Sequence, residues 1–412
     1  MVNFRKEQRK AQKGDFIMVS EKITLANPER FAPHKIDRDK LLKAAEKACE
    51  KLWATYEKNG EGFPGTCSKD FEYELSENTN WESGMYTGCF WLAYELTGDE
   101  KFRKVAESHF DRYKKNIDEE VGIHDHDVGF IYTPSLVAQY KLTGNEDAKE
   151  VALRTAKFYF DHSYSKEGKF IIRSYRWFEK GGNRTMMDSL MNAPFLFWAG
   201  KETGNEEYFN AAHQQSLTTE KLLIRGDGSS FHHYEFNAET LEPVRGLTLQ
   251  GFSNESCWGR GHSWGIYGFP IAYSYTKDEK IRQVHKDVAY YFLNRLPEDY
   301  IPYWDYIFTE TSDEARDSSC AAISACGFDE MSKLIPDDAE EKAIFEGAAA
   351  RMLEALIDKC TGDIGREYDG LINQVTHALP QGQGIEECAV YGDYFYLEAL
   401  VRFLKPDFKK YW

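Results

Sequence analysis

The heptapeptide His124-Asp125-His126-Asp127-Val128-Gly129-Phe130 places two imidazoles and two carboxylates ahead of an apolar run that reaches Leu142. Such groups are costly to bury together and suit proton transfer or metal binding. A further carboxylate, Asp188, precedes a second apolar run, Ser189-Leu-Met-Asn-Ala-Pro194. Paired carboxylates are the usual apparatus for acid–base work on sugars. The spacing of His124, His126 and Asp127 is also compatible with a metal-dependent hydrolase. The plainer alternative is helix capping, with Asp accepting free amides and His packed in a polar loop. Recurrence favours chemistry, because stretches of this kind return at the same place in a repeat.

The repeat is marked by a turn signature. It reads Tyr94-Glu-Leu-Thr-Gly-Asp-Glu100, Tyr140-Lys-Leu-Thr-Gly-Asn-Glu146, Lys201-Glu-Thr-Gly-Asn-Glu206 and Ser274-Tyr-Thr-Lys-Asp-Glu279, with a degenerate copy at Leu334-Ile-Pro-Asp-Asp-Ala-Glu340. Gly supplies the left-handed residue that ends one helix, and Asp or Asn caps the next. The pattern predicts twelve helices, roughly 39–57, 80–97, 99–116, 128–143, 145–162, 185–202, 205–222, 262–276, 278–295, 314–334, 338–358 and 386–404. They alternate between amphipathic and apolar nearly all round, which predicts an outer and an inner ring. Six such hairpins close into an all-α (α/α)6 barrel; an open solenoid would normally show a polar concave face. The inner helices then run parallel, and the long loops leading into them share one mouth. Those loops carry Asn80-Trp81-Glu82-Ser83, His124 to Phe130, Asn183 to Asp188, Trp258 to Trp264, Arg316 to Ser319 and Gly384 to Glu387. A ring of helix N-termini favours an anionic ligand.

The 412 residues are 42% hydrophobic and 29% charged, ordinary for a globular protein. A net charge of -17 speaks against a nucleic-acid partner. No apolar run is long enough to span a membrane. Met1 to Asp15 is basic but lacks the apolar segment of a secretory signal, and Met18 is an alternative start. Residues 1–35 are expected to form an N-terminal extension and 36–412 a single domain. Eight scattered cysteines without a CxxC pair read as free thiols in a reducing cytoplasm. Aromatic residues make up 15% of the chain, which suits a large core and also sugar stacking.

Several motifs in order resemble glycoside hydrolase family 88, the unsaturated glucuronyl hydrolases. They are His126-Asp127-Val-Gly-Phe, Met187-Asp188-Ser-Leu-Met-Asn-Ala-Pro, Gln250-Gly-Phe, Ser256-Cys-Trp-Gly-Arg260-Gly-His-Ser-Trp264 and Asp317-Ser-Ser. The resemblance runs from about Trp81 to Tyr396 and implies the same (α/α)6 fold. It implies removal of a 4,5-unsaturated uronic acid from the non-reducing end of an oligosaccharide produced by a polysaccharide lyase, with no metal or other cofactor. By that resemblance Asp188 is the general acid and base, and Asp127 orients the sugar and tunes the charge of the site. Trp81 is a stacking platform; His126, His232, Gln250, Arg260 and Trp264 surround the uronate and the attacking water. Some members prefer sulfated disaccharides through Ser and Lys in the loop before the last inner helix. That loop is here His377-Ala-Leu-Pro-Gln-Gly-Gln-Gly384, with neither, which implies a preference for unsulfated substrate.

Small β-hairpins are expected at Phe231 to Pro243 and at Lys169 to Arg173, lining the mouth. Three other functions remain to be separated: an unsaturated rhamnogalacturonyl hydrolase acting on pectin fragments, the metal-dependent hydrolase, and a non-catalytic helical scaffold.

Overall fold

The computed structural model describes residues 23–173, 183–310 and 313–412; Met18 and most of the expected N-terminal extension lie outside them. The helices follow the alternation of the sequence. In chain order they are α1 (Arg38–Asn59), α2 (Ser83–Thr97), α3 (Glu100–Ser108), α4 (Phe110–Asp118), α5 (Val128–Tyr132), α6 (Ala138–Thr143) and α7 (Glu146–Ser163). They continue with α8 (Ser189–Asn192), α9 (Pro194–Thr203), α10 (Glu206–Leu223), α11 (Gly259–Thr276), α12 (Glu279–Leu293), α13 (Ser318–Leu334), α14 (Glu340–Lys359) and α15 (Val390–Leu404). A single π-helical turn, Thr133–Val137, joins α5 to α6.

Six rods form the inner ring: α2, α5–α6, α8–α9, α11, α13 and α15. Each packs on the next, and α15 packs back on α2, so the array is a closed (α/α)6 barrel. The cause is visible in the burial. Every residue of α2 from Ser83 to Ala93 is buried. In contrast, α1 buries only Leu41, Ala44, Ala45, Ala48, Cys49, Leu52 and Thr55, one face at helical spacing. The turn signature works as read. Gly98, Gly144 and Gly204 take φ near +70°, and Lys277 takes the same place at φ +53°. Asp99, Asn145, Asn205 and Asp278 then accept backbone amides of the following helix at 2.9 Å. Ala339, in the degenerate copy, makes no side-chain cap.

Two corrections concern the mouth. Residues 183–186, expected at a helix start, are a strand, β5 (Asn183–Met186). It is paired with β6 (His233–Phe236), which pairs in turn with β7 (Pro243–Leu247). Cross-strand hydrogen bonds hold this segment extended, so the inner rod begins only at Ser189. The inner helix expected from 314 starts at Ser318, because Asp317 accepts from Ser319 N at 3.1 Å and fixes the cap there. The expected hairpin at Lys169 to Arg173 is present as Phe170–Ile171 against Tyr164–Ser165. Among the described residues no helix is long and apolar enough to cross a membrane. All eight cysteines are free.

Candidate active site

Asp127 and Asp188 each stand one residue ahead of an inner helix, α5 and α8. The two helices touch where Gly129 has no side chain; a Cβ there would lie 2.5 Å from the Asn192 carbonyl. Asn192 ties the two helix starts together. Its Oδ1 accepts from Phe130 N at 2.8 Å, and its Nδ2 donates to Asp127 Oδ1 at 3.2 Å and to Asp188 O at 3.1 Å. Neither aspartate caps its own helix through its side chain. Both carboxylates line the cavity instead.

His126 lies between them. Its Nε2 is 3.4 Å from Asp127 Oδ1 and 3.3 Å from Asp188 Oδ1, yet completes a hydrogen bond to neither. Its Nδ1 is held against Asp125, which also accepts His126 N at 2.6 Å. Tyr159 OH donates to the His126 carbonyl at 2.9 Å. Burial opposes an imidazolium here, but Asp127, Asp125 and Asp188 overcome it and push His126 well above the ordinary histidine range. Burial pushes Asp127 up to about 7, with Asp188 adding to the rise and His126 opposing it. Burial would raise Asp125 too, but His126 outweighs it and holds that carboxyl at about 2. Asp127 and Asp188 keep 19% and 16% of their side chains exposed. A sugar ring closing over them would dry both further.

Asp125, His126 and Asp127 are near enough to share a cation. Both nitrogens of His126 face carboxylates, Nδ1 against Asp125 and Nε2 toward Asp127 and Asp188. His124 turns away: its Nε2 pairs with Glu120 O at 3.0 Å and its ring packs on Phe158. The ligand set His124, His126 and Asp127 is therefore not assembled.

One cavity of about 460 Å³ gathers Trp81, His126, Asp127, Asp188, His232, Gln250, Arg260 and Trp264. Trp81 stacks on Tyr391 at 5.1 Å and 25°. Trp264, 1% exposed, packs against Phe130 and Phe395. His232 lies over Trp258, and its Nδ1 accepts from Leu249 N at 3.2 Å, which leaves the proton on Nε2. Burial, then the charges of His233 and Arg173, hold His232 well below the usual range, so the ring is neutral. Arg260 is buried and heavily tied down. Nη1 donates to Thr376 O at 2.9 Å and lies 3.5 Å from Asp317; Nη2 donates to His377 O at 2.7 Å. Its guanidinium also lies over Trp258 and Tyr391.

The mouth is built from four of the six expected lead-in stretches. Arg316 to Ser319 does not line the cavity, and Asp317 acts from behind Arg260. The last loop contributes His377, Gln381 and Gln383 rather than Glu386 and Glu387. Glu387 instead accepts from Ser68 Oγ, Asp70 N and Phe71 N, and Glu386 from Arg316 N. His262 faces the outer ring, donating from Nε2 to Val288 O at 2.9 Å. Sequence reasoning placed Trp258 in a mouth loop, but missed Arg173 as a lining residue and Asn192 as the clamp. An arginine closing a mouth hairpin was the available signal for the first. For Asn192 there was none, since its partner Asp127 lies 65 residues away.

The sequence pattern of Glycosyl Hydrolase Family 88 matches residues 38–396. The unsaturated chondroitin disaccharide hydrolase of Streptococcus pneumoniae is 37% identical over 396 residues, covering 95% of this chain and all of that one. The unsaturated glucuronyl hydrolase of Bacillus sp. strain GL1 is 35% identical, over 86% of this chain and 94% of that one. The crystal structure of the unsaturated glucuronyl hydrolase of Streptococcus agalactiae superposes with a TM-score of 0.90 at 35% identity, over 95% of this chain and 98% of that one. A variant of the latter, at a TM-score of 0.85, was solved in complex with dGlcA-GalNAc6S. Matching in fold and in sequence along most of its length, the chain belongs to glycosyl hydrolase family 88.

Proposed function

We propose that this glycosidase removes the 4,5-unsaturated uronic acid from the non-reducing end of lyase-generated glycosaminoglycan oligosaccharides. The observation that carries the reading is the pair Asp127 and Asp188, set on neighbouring inner helices about a charged His126, in a cavity walled by tryptophans and arginines. The relatives' activities and the S. agalactiae complex support the substrate class. The catalytic unit is the barrel, about residues 36 to 412, and its free cysteines suit a reducing compartment such as the cytoplasm.

The substrate's C4=C5 bond is part of a vinyl ether with the ring oxygen. Asp188 delivers a proton to C4, and positive charge develops at C5 and the ring oxygen. Water adds to C5 while the Asp188 carboxylate takes a water proton. The hemiketal then opens by breaking the C5–ring oxygen bond, and the hemiacetal at C1 releases the aglycone as an alcohol. Asp127, whose carboxyl keeps its proton up to about 7, donates a hydrogen bond to the sugar, and His126 balances the charge of its neighbours. His232 offers Nε2–H toward the uronate or the water. Arg260 and Arg173 give the cavity the positive field that a uronate requires.

The test is loss of the ultraviolet band of the unsaturated acid with a chondroitin-derived disaccharide. The rhamnogalacturonan-derived disaccharide serves as comparison, and both are repeated after dialysis against a chelator. Cleavage of the chondroitin substrate that survives the chelator is expected. Preference for the pectin fragment, or loss of activity restored by one metal, would overturn the proposal. In ¹⁸O-water with immediate borohydride reduction the label belongs on C5; label on C1 alone would rule out hydration.

A further inference from the structure

The catalytic cavity is continued at its rim by a turn that is fixed at every step. Leu249 N donates to His232, Gln381 Nε2 donates to Leu249 O at 2.7 Å, and Gln250 Nε2 donates to His377 O at 3.1 Å. Gly251 N then binds Thr248 Oγ1 at 2.8 Å, and Phe252 N binds the buried Asp305 Oδ2 at 2.9 Å. Asp305 is itself held by Ser256 Oγ and Ile307 N. At the end of this rigid path the Phe252 side chain is 56% exposed. Its ring meets Phe308 at 5.3 Å and 80° and Trp304 at 6.4 Å and 63°, both edge-to-face contacts that brace it.

Such exposure is not general. Among the described residues Phe252 is the most exposed large apolar side chain and the one aromatic ring so exposed. A held, exposed phenyl ring has an unfavourable hydration free energy that a ligand would remove.

The start of α8, with Asp188, faces the loop before α15 across the barrel. Gln250, Gln381 and Gln383 line the same cavity as the two aspartates, and the Leu249–Phe252 turn runs on from Gln250 to the outside of that cavity. A sugar chain extending outward past Leu249 and Gln250 would meet Phe252 next.

We infer that Phe252 is an outer stacking platform for the second aglycone sugar, favouring oligosaccharides longer than a disaccharide. The inference rests on the substrate class proposed above. Its test compares kcat/KM for the unsulfated unsaturated chondroitin tetrasaccharide and disaccharide in the wild type, Phe252→Ala and Phe252→Trp. The wild type should favour the tetrasaccharide by about three- to tenfold. Phe252→Ala should bring that ratio to about one, and Phe252→Trp should restore it. An unchanged ratio in Phe252→Ala overturns the platform. So does an equal fall on both substrates, or conversion of a dimer to a monomer at constant ratio, which would assign the ring to contact between copies. If the wild type cleaves neither substrate, the substrate class itself fails and the subsite falls with it.

Discussion

Two buried ionic clusters stand at opposite ends of this barrel, and they are completed differently. At the turn face Arg402 donates from Nε to Glu398 at 2.9 Å, from Nη1 to Asp329 and Glu330 at 3.0 Å, and from Nη2 to Tyr267 OH at 2.5 Å. Lys410 adds a second cation on Glu330, and Trp412 Nε1 donates to Glu398 at 3.0 Å. At the mouth, His126 Nε2 and Asp188 Oδ1 approach to 3.3 Å without a hydrogen bond between them. A saturated network rigidifies the fold, whereas unsatisfied polar atoms in a cavity wall are what a ligand can engage. Burial and charge alone do not separate the two clusters. The completeness of their partners does.

The comparison breaks first at Asp188. Asp188→Asn preserves shape and removes the titrating proton, so turnover should fall by roughly 10²–10⁴-fold with an unchanged unfolding midpoint. Near-wild-type turnover on a cleaved substrate would remove Asp188 from the chemistry. Arg402→Met should do the reverse. It leaves the buried Glu398 without a cation, while Glu330 keeps Lys410 and Asp329 keeps Lys333, and should cost about 3–5 kcal/mol in denaturant unfolding. The folded fraction should keep kcat/KM within about twofold, because distant sites act independently. A variant that stays fully stable but loses turnover would show that the lower cluster is part of the active site.

A pH profile sharpens the contrast at the mouth. Asp127 is raised to about 7, so it is protonated below that pH and ionised above it. Activity that needs its proton should be present below 7 and fall as pH rises through it. A kcat/KM profile flat from pH 6 to 8 would refute that role. The smallest effect concerns sulfate. The His377–Gly384 loop has neither Ser nor Lys, and burial together with Arg260 pushes His377 down to about 3, leaving it uncharged. The unsulfated disaccharide should therefore be cleaved a few-fold better than its 6-sulfated counterpart. A higher kcat/KM for the sulfated form would contradict this reading of the loop.

Much of this was legible in the chain itself. The Thr-Gly-Asp/Asn-Glu turns and the alternation of apolar and amphipathic helices sufficed for twelve helical rods and a closed ring, because capping and periodicity are properties of contiguous residues. The same reasoning brought Asp127, Asp188, Trp81 and Arg260 to one mouth, since residues leading into parallel inner helices must share it. It failed where the partner is remote. Residues 185–186 looked helical until β6, some fifty residues on, paired with them. Glu387 looked like a mouth carboxylate, but Ser68 and the amides of Asp70 and Phe71 claim it. Which carboxyl of the pair is raised, why His126 carries charge, and how Arg260 is clamped to a carbonyl 117 residues away were decided only by the tertiary structure. Desolvation and charge pairing depend on distances in space, and those distances exist only once the ring has closed.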